Sequence, residues 1–225
     1  MILLPERGLV VVTPPKTGSA SLHRFLAGLG GQVFYGPHTA GPGYSKHSPH
    51  IPDEALAFPR VCLTIRDPWD RLVSLFHHFN GWENHEGRAG LSFADFAASV
   101  VNAWPVALPW FYSIRAVDYA AALTAAGLAF ELWALETISD HLTSAECSAE
   151  PGHLLTVEGY SYRNRTAAYY GPSILETVAP WAAADANLLA AALDRQATAA
   201  ACGPLRPGAY WNLPQPRPVY GPPTP

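Results

Sequence analysis

The chain has 225 residues, 49% of them hydrophobic, and a formal net charge of −4. That length and apolar content fit one folded domain burying roughly 70% of its unfolded surface, and they argue against a mostly disordered chain. The negative balance argues against a protein that wraps a nucleic-acid duplex.

The charge is uneven. Residues 1–75 hold seven Lys/Arg against five Asp/Glu, and residues 76–225 hold seven against thirteen. The cations of the first third favour a small anionic ligand. Cys62, Cys147 and Cys202 are odd in number and lack zinc-like spacing, so neither a disulfide framework nor a metal site is expected. No segment reaches 18 apolar residues, and Met1–Arg7 is too short and too acidic for a signal peptide. The chain therefore reads as cytoplasmic, or as a soluble piece of something longer.

Leu9-Val10-Val11-Val12 reads as a buried strand that runs through Thr13-Pro14-Pro15-Lys16-Thr17-Gly18 into a helix from Ser19 to Leu29. Leu22, Phe25, Leu26 and Leu29 share one face of that helix, and Gly30-Gly31 stop it. Residues 35–50, rich in Gly, Pro, Ser and His, read as a long loop. Arg60 to Ile65 is a second buried strand. Asp67-Pro68 then opens a helix with Asp as N-cap, and Leu72, Leu75, Phe76 and Phe79 form its apolar face. Further helices are expected from Ser92, where Ser92 and Asp95 resemble a capping box, and from Pro109 to Ala126. Ala129–Leu135 reads as a strand, Glu136–Thr143 as a short helix and Leu154–Val157 as a last strand. Ser173–Ala201 reads as a helix interrupted at Pro180. Strands alternating with helices predict an α/β fold with a central, mostly parallel sheet flanked by helices, one domain over residues 1–202. Residues 203–225 carry eight prolines and no acidic residue, which predicts an extended tail. There is no internal repeat.

Ligands bind such sheets at the carboxyl ends of the strands, and Lys16 and Arg66 both lie just beyond one. Backbone N–H groups at a helix start, with a lysine beside them, make an anion site. Lys16 and Lys46 are the chain's only lysines, so lysine is not used here as a general surface residue. The order is not that of a Walker A loop, because Lys16 precedes Gly18 and no glycine lies between Leu9 and Lys16. In the second cluster, Arg66-Asp67-Pro68-Trp69-Asp70-Arg71-Leu72-Val73-Ser74, Arg66 offers a planar fork and Ser74 a hydroxyl about 9 Å along the helix. Read singly, Arg66 equally suits a surface pair with Asp67 or Asp70. His77 and His78 are adjacent and point apart on a helix, so with His85 they read as surface residues rather than metal ligands. Trp104, Trp110, Phe111 and Tyr112 read first as core, and second as the wall of an acceptor groove.

Together, Lys16-Thr17-Gly18-Ser19-Ala20-Ser21-Leu22 and Arg66-Asp67-Pro68 with Ser74 resemble the 5′-phosphosulfate loop and the 3′-phosphate motif of sulfotransferases that use 3′-phosphoadenosine-5′-phosphosulfate (PAPS). The wording is closest to the branch with bacterial enzymes and carbohydrate 2-O-sulfotransferases. The resemblance covers about residues 9–79; beyond it, Tyr162-Arg163-Asn164-Arg165 and Tyr169-Tyr170 are similar to a segment that closes over the nucleotide. It implies a three-layer fold like that of P-loop NTPases, and in-line transfer of a sulfuryl group to the hydroxyl of a carbohydrate or other small alcohol, with no metal.

In that scheme Lys16 balances charge on the bridging oxygen. The 5′-phosphate is held by the loop from Pro15 to Leu22, through backbone N–H groups of Thr17, Gly18, Ser19, Ala20 and Ser21 and the hydroxyls of Thr17, Ser19 and Ser21. Arg66 and Ser74 take the 3′-phosphate, and Arg163 or Arg165 closes over the nucleotide. Ala20 stands where the family carries a hydroxyl. The resemblance also implies a histidine base from the loop holding His38, His47 and His50. Lys46-His47 fits best, His50 is next, and Glu54 is the fallback. Two other readings stay open: a nucleotide-dependent phosphotransferase with an irregular phosphate loop, and a non-catalytic binder of an anion or glycan.

Overall fold

A computed structural model describes residues 1–37, 44–82, 90–103, 105–106, 108–135 and 166–202. For Ser21, Pro37, Tyr44, Glu54, Gly81, Trp82, Thr166, Ala167 and residues 195–202 it describes the backbone alone. The helix expected at 136–143, the strand at 154–157, the tail at 203–225, and His38, His85, Trp104, Arg163 and Arg165 lie outside the described residues.

The fold is α/β around a mixed five-stranded sheet. Its strands are β1 (Ile2–Leu4), β2 (Leu9–Val12), β3 (Gln32–Val33), β6 (Arg60–Ile65) and β7 (Glu131–Ala134), in the order β3-β1-β2-β6-β7. A separate pair is formed by β4 (Gly36–Pro37) and β5 (Tyr44–Ser45). The expectation of a mostly parallel sheet needs correction: β2-β6 and β6-β7 are parallel, but β1 is antiparallel to both β2 and β3. The reason is local. Pro5–Arg7 form one tight 3₁₀ turn, closed by Gly8 at φ 57° with its N–H on the Pro5 carbonyl, and so short a link can only return the chain antiparallel.

Side chains alternate across the sheet as the two-residue period requires. Ile2, Leu4, Leu9, Val11, Cys62 and Trp133 pack on one face with Leu22 and Leu26 of helix α1 (Ser19–Gly28). Val10, Val12, Val61, Leu63, Ile65 and Leu132 pack on the other face. There they meet Tyr119 and Leu123 of α6 (Ala116–Ala125) and Leu188 of α7 (Pro172–Cys202). A second apolar cluster joins α3 (Pro68–Trp82), α4 (Phe93–Asn102) and α5 (Trp110–Ser113) to the first turns of α7. Of the aromatics weighed for a groove, Tyr112 is fully buried in this cluster, and Trp110 and Phe111 are half-buried.

Two helices differ from their predicted extents. The helix expected over 109–126 is two, broken at Ile114, because Asp185 of α7 accepts from the N–H groups of Ala116 (3.0 Å) and Val117 (2.9 Å) and starts a new helix there. In contrast, α7 runs unbroken through Pro180. An interior proline costs about 3 kcal/mol. Here Val178, Trp181, Ala182, Asp185, Leu188, Leu189 and Ala192 form one continuous buried stripe at helical spacing, and burial of that stripe offsets the cost. Among the described residues no helix is long and apolar enough to cross a membrane.

Candidate functional site

Because β2 and β6 are parallel neighbours, with Val12 opposite Leu63, the segments after both strands emerge at one sheet end. The segment after β2 turns sharply. Lys16 has φ 65° and Gly18 φ 80°. The left-handed conformation is ordinary for glycine but costs about 1 kcal/mol or more for lysine, the kind of strain that persists only where surrounding contacts enforce it.

Those contacts are visible. The Thr17 hydroxyl donates to the Pro14 carbonyl at 2.8 Å and lies 2.7 Å from the Thr64 hydroxyl on β6. The Arg71 guanidinium donates through Nε to the Pro15 carbonyl at 3.0 Å. Arg66 donates through Nη1 to the carbonyl of Lys16 itself at 3.3 Å. The fully buried Thr17 is thus a correction: its one O–H is committed inward and is not a phosphate donor.

The first helical hydrogen bond of α1 runs from Leu22 N–H to Gly18 C=O at 3.0 Å. The N–H groups of Ser19, Ala20 and Ser21 precede it and have no intrahelical acceptor, which is the requirement for holding an anion. Ser19 is buried and Ala20 exposed; Leu22 is a core residue of the α1 face and offers the site only backbone.

Lys16 is half-buried, and its ammonium is held below the ordinary lysine range, first by burial and then by the positive charges of Arg66 and Lys46. The three cations therefore converge, and a bound anion would relieve both effects. On α3, Asp67 is the N-cap as expected, its Oδ1 accepting from Trp69 N (2.9 Å) and Asp70 N (3.0 Å). The fixed helix start places Arg66 at its head and Ser74 two turns along, buried, with no hydrogen bond to its hydroxyl among the described residues.

The structure separates the candidate bases. His50 is exposed, and its N–H is tied to the Ser48 hydroxyl at 3.1 Å. Glu54 lies on the short helix α2 (Asp53–Leu56). His47 is turned inward to the loop, its Nδ1 2.9 Å from the Thr13 carbonyl, while its own carbonyl accepts from the Tyr119 hydroxyl. A carbonyl can only accept, so Nδ1 carries the proton and Nε2 keeps a lone pair. Burial, then Lys46, the Met1 amino group and Arg71, push His47 down to about 4 against the raising effect of the Thr13 bond, so it is neutral at pH 7.

Several parts of this arrangement were not found in the sequence. The Thr13 hydroxyl lies 2.8 Å from His23 Nε2, and burial holds that histidine down at about 3. Neither residue matches a motif. Arg71 did carry a signal: it shares the buried face of α3 with Leu72 and Leu75, and a charge in such a place must be paired. His77 and His78 are corrected from surface residues. Both are half-buried, with His77 Nε2 2.8 Å from the Tyr169 hydroxyl and His78 Nδ1 3.2 Å from that of Tyr112. His78 is lowered by burial and then by Lys16 and Lys46, so it borders the cationic cluster. Tyr169 and Tyr170 pack into the second cluster, the Tyr170 hydroxyl donating to the Trp69 carbonyl at 2.8 Å, which anchors the chain after Arg165 on α3. Among the described residues no group of three His, Cys, Asp or Glu could hold a metal ion. No family model, curated protein or solved structure matches the chain.

Proposed function

We propose that the chain is a sulfotransferase that moves the sulfuryl group of PAPS to a hydroxyl of a carbohydrate or other small alcohol, on a three-layer scaffold like that of P-loop NTPases. One observation carries this reading. Lys16, set in the strained turn after β2, receives on its own carbonyl a hydrogen bond from Arg66, set after the parallel neighbour β6. Two cations so joined match a donor with phosphate at both the 5′ and 3′ positions of its ribose.

The acceptor oxygen attacks sulfur and forms the new S–O bond. The bond from sulfur to the bridging oxygen breaks, and adenosine 3′,5′-bisphosphate leaves with the electron pair. The proton of the acceptor passes to His47 Nε2. Lys16 offsets charge growing on the bridging oxygen, and the N–H groups of Ser19, Ala20 and Ser21 hold the 5′-phosphate. Arg66 and Ser74 take the 3′-phosphate. A histidine at about 4 is a weak base. Burial is the larger cause of that low value; the donor's negative charge offsets the smaller part due to Lys46 and so moves His47 upward.

A thermal-shift comparison tests the donor, because a ligand that binds only the folded state raises its melting temperature with concentration. Adenosine 3′,5′-bisphosphate is expected to stabilise the protein more than ATP or AMP at equal concentration. An equal or smaller shift overturns the assignment.

A further inference from the structure

The buried ion pair beneath the site has no part in the transfer described above. Arg71 is fully buried on α3, and its Nη1 lies 3.6 Å from Asp185 Oδ2 of α7. Nε donates to the Pro15 carbonyl at 3.0 Å, and Nη2 donates to the Ile114 carbonyl. Asp185 in turn accepts from the N–H groups of Ala116 and Val117. One guanidinium therefore joins the peptide before Lys16 to the break between α5 and α6 and to the middle of α7. That point of α7 lies between its two buried stretches, Val178–Ala182 in the helical cluster and Leu188–Ala192 on the sheet.

A buried ion pair is weak evidence for stability, because desolvation cancels much of the attraction. What this pair supplies instead is direction. The planar guanidinium, held by Ile114 and Asp185, aims its Nε–H at the Pro15 carbonyl and so fixes the peptide plane from which Lys16 enters its left-handed conformation. We infer that Arg71 and Asp185 are positioning residues for the anion loop, holding the Pro15–Lys16 peptide so that the Lys16 ammonium faces the same ligand as Arg66. The inference rests on reading that loop as an anion site, though not on which anion it takes.

The test uses the full chain with its two lysines reductively methylated with carbon-13, which gives one dimethyl-lysine NMR signal for each; Lys46→Arg assigns them. In the wild type the Lys16 signal is expected to titrate below the ordinary lysine range, lowered first by burial and then by Arg66 and Lys46. In Arg71→Lys, which keeps the charge but loses the fork, and in Asp185→Asn, which keeps the acceptor shape but loses the charge, that titration is expected to move up. Affinity for adenosine 3′,5′-bisphosphate is expected to fall about tenfold or more. Leu123→Ala, a core truncation that destabilises without touching the loop, is expected to leave the Lys16 titration in place.

Folded Arg71→Lys and Asp185→Asn proteins with an unchanged Lys16 titration overturn the inference. Unfolding of both variants overturns it too, since the pair would then determine the fold rather than the loop. Failure of the wild type to bind the bisphosphate, with the Lys16 titration still moved by the variants, sinks the donor assignment and leaves the positioning role standing.

Discussion

Arg66 holds the carbonyl of Lys16 at 3.3 Å, so two like charges at the ends of neighbouring parallel strands are fastened together rather than spread apart. The two residues are expected to fail differently when removed. On the proposed reading, Lys16→Ala takes away charge from the reacting centre and should lower kcat by roughly 100-fold or more with little change in donor KM. Arg66→Ala takes away the proposed ligand to the far phosphate and should raise donor KM about tenfold, with a smaller loss in kcat from the freed Lys16 peptide. Steady-state kinetics with both variants decide it, and near wild-type constants in both remove the site as drawn.

Ser74 offers a sharper test of which phosphate is read. Its hydroxyl has no hydrogen bond among the described residues, so Ser74→Ala should leave the melting temperature close to wild type. A hydrogen bond to a charged group contributes about 1.5–3 kcal/mol. The variant should therefore bind adenosine 3′,5′-bisphosphate at least about tenfold more weakly and bind 5′-AMP unchanged. Calorimetric titration of both ligands measures this; equal weakening of the two would move the 3′-phosphate elsewhere.

The anchor points of this site were legible in the sequence because each rests on a short local rule. Asp67-Pro68 opens a helix by capping chemistry, and the Leu22/Leu26 spacing faces α1 to the sheet. The loop from Thr13 to Gly18 lies between a strand and a helix that both formed as expected. The parts that were missed rest on long-range pairing. Arg71 and Asp185 are 114 positions apart along the chain, and the break at Ile114 depends on a carboxylate from a different helix. The inward turn of Thr17 depends on Thr64, a strand away. No periodicity carries such information. Pro180 misled for the same reason: the local rule was right about its cost, and the buried stripe of α7 outweighed it.

Two histidines, His23 buried and His47 half-buried, should make the protein acid-sensitive at a definite range. His23 and His47 sit at about 3 and about 4, below their value of 6.5 in an unfolded chain. Between pH 6.5 and about 4 the unfolded state binds protons that the folded state refuses, so stability is full above 6.5 and is lost as the pH falls through this window. The His47 contribution is on the order of 3 kcal/mol. Urea unfolding at pH 7.5 and pH 5.0 should show the wild type losing more stability than His47→Gln. Equal losses would mean that His47 is not held neutral by burial.

Ligand binding should act on the same histidine with the opposite sign. Burial chiefly, and Lys46 after it, lower His47 in the free protein, and an anion beside Lys46 would offset the second effect. The His47 ring resonances, followed by NMR, should titrate at a higher pH with saturating adenosine 3′,5′-bisphosphate than without it. Chloride at the same ionic strength serves as the control. No movement would place the ligand away from His47 and pass the base role to His50 or Glu54.

Gly18 tests whether the shape of the loop matters as much as its charges. Its φ of 80° is costly for any L-residue, and a Cβ there would lie 2.6 Å from Leu135 Cδ1. Gly18→Ala therefore carries two separable penalties, backbone strain of about 1 kcal/mol and a clash with the end of one flexible side chain. Leu135→Ala in the same chain removes the second and leaves the first. The double variant should regain part of the stability lost by Gly18→Ala, but it should not regain affinity for the bisphosphate. The N–H groups of Ser19, Ala20 and Ser21 take their aim from the conformation of Gly18, and that conformation stays strained when the leucine is gone. Denaturation and calorimetry on the three variants separate the terms. Full recovery of binding in the double variant would show that room beside Leu135, and not the left-handed turn, sets the anion site.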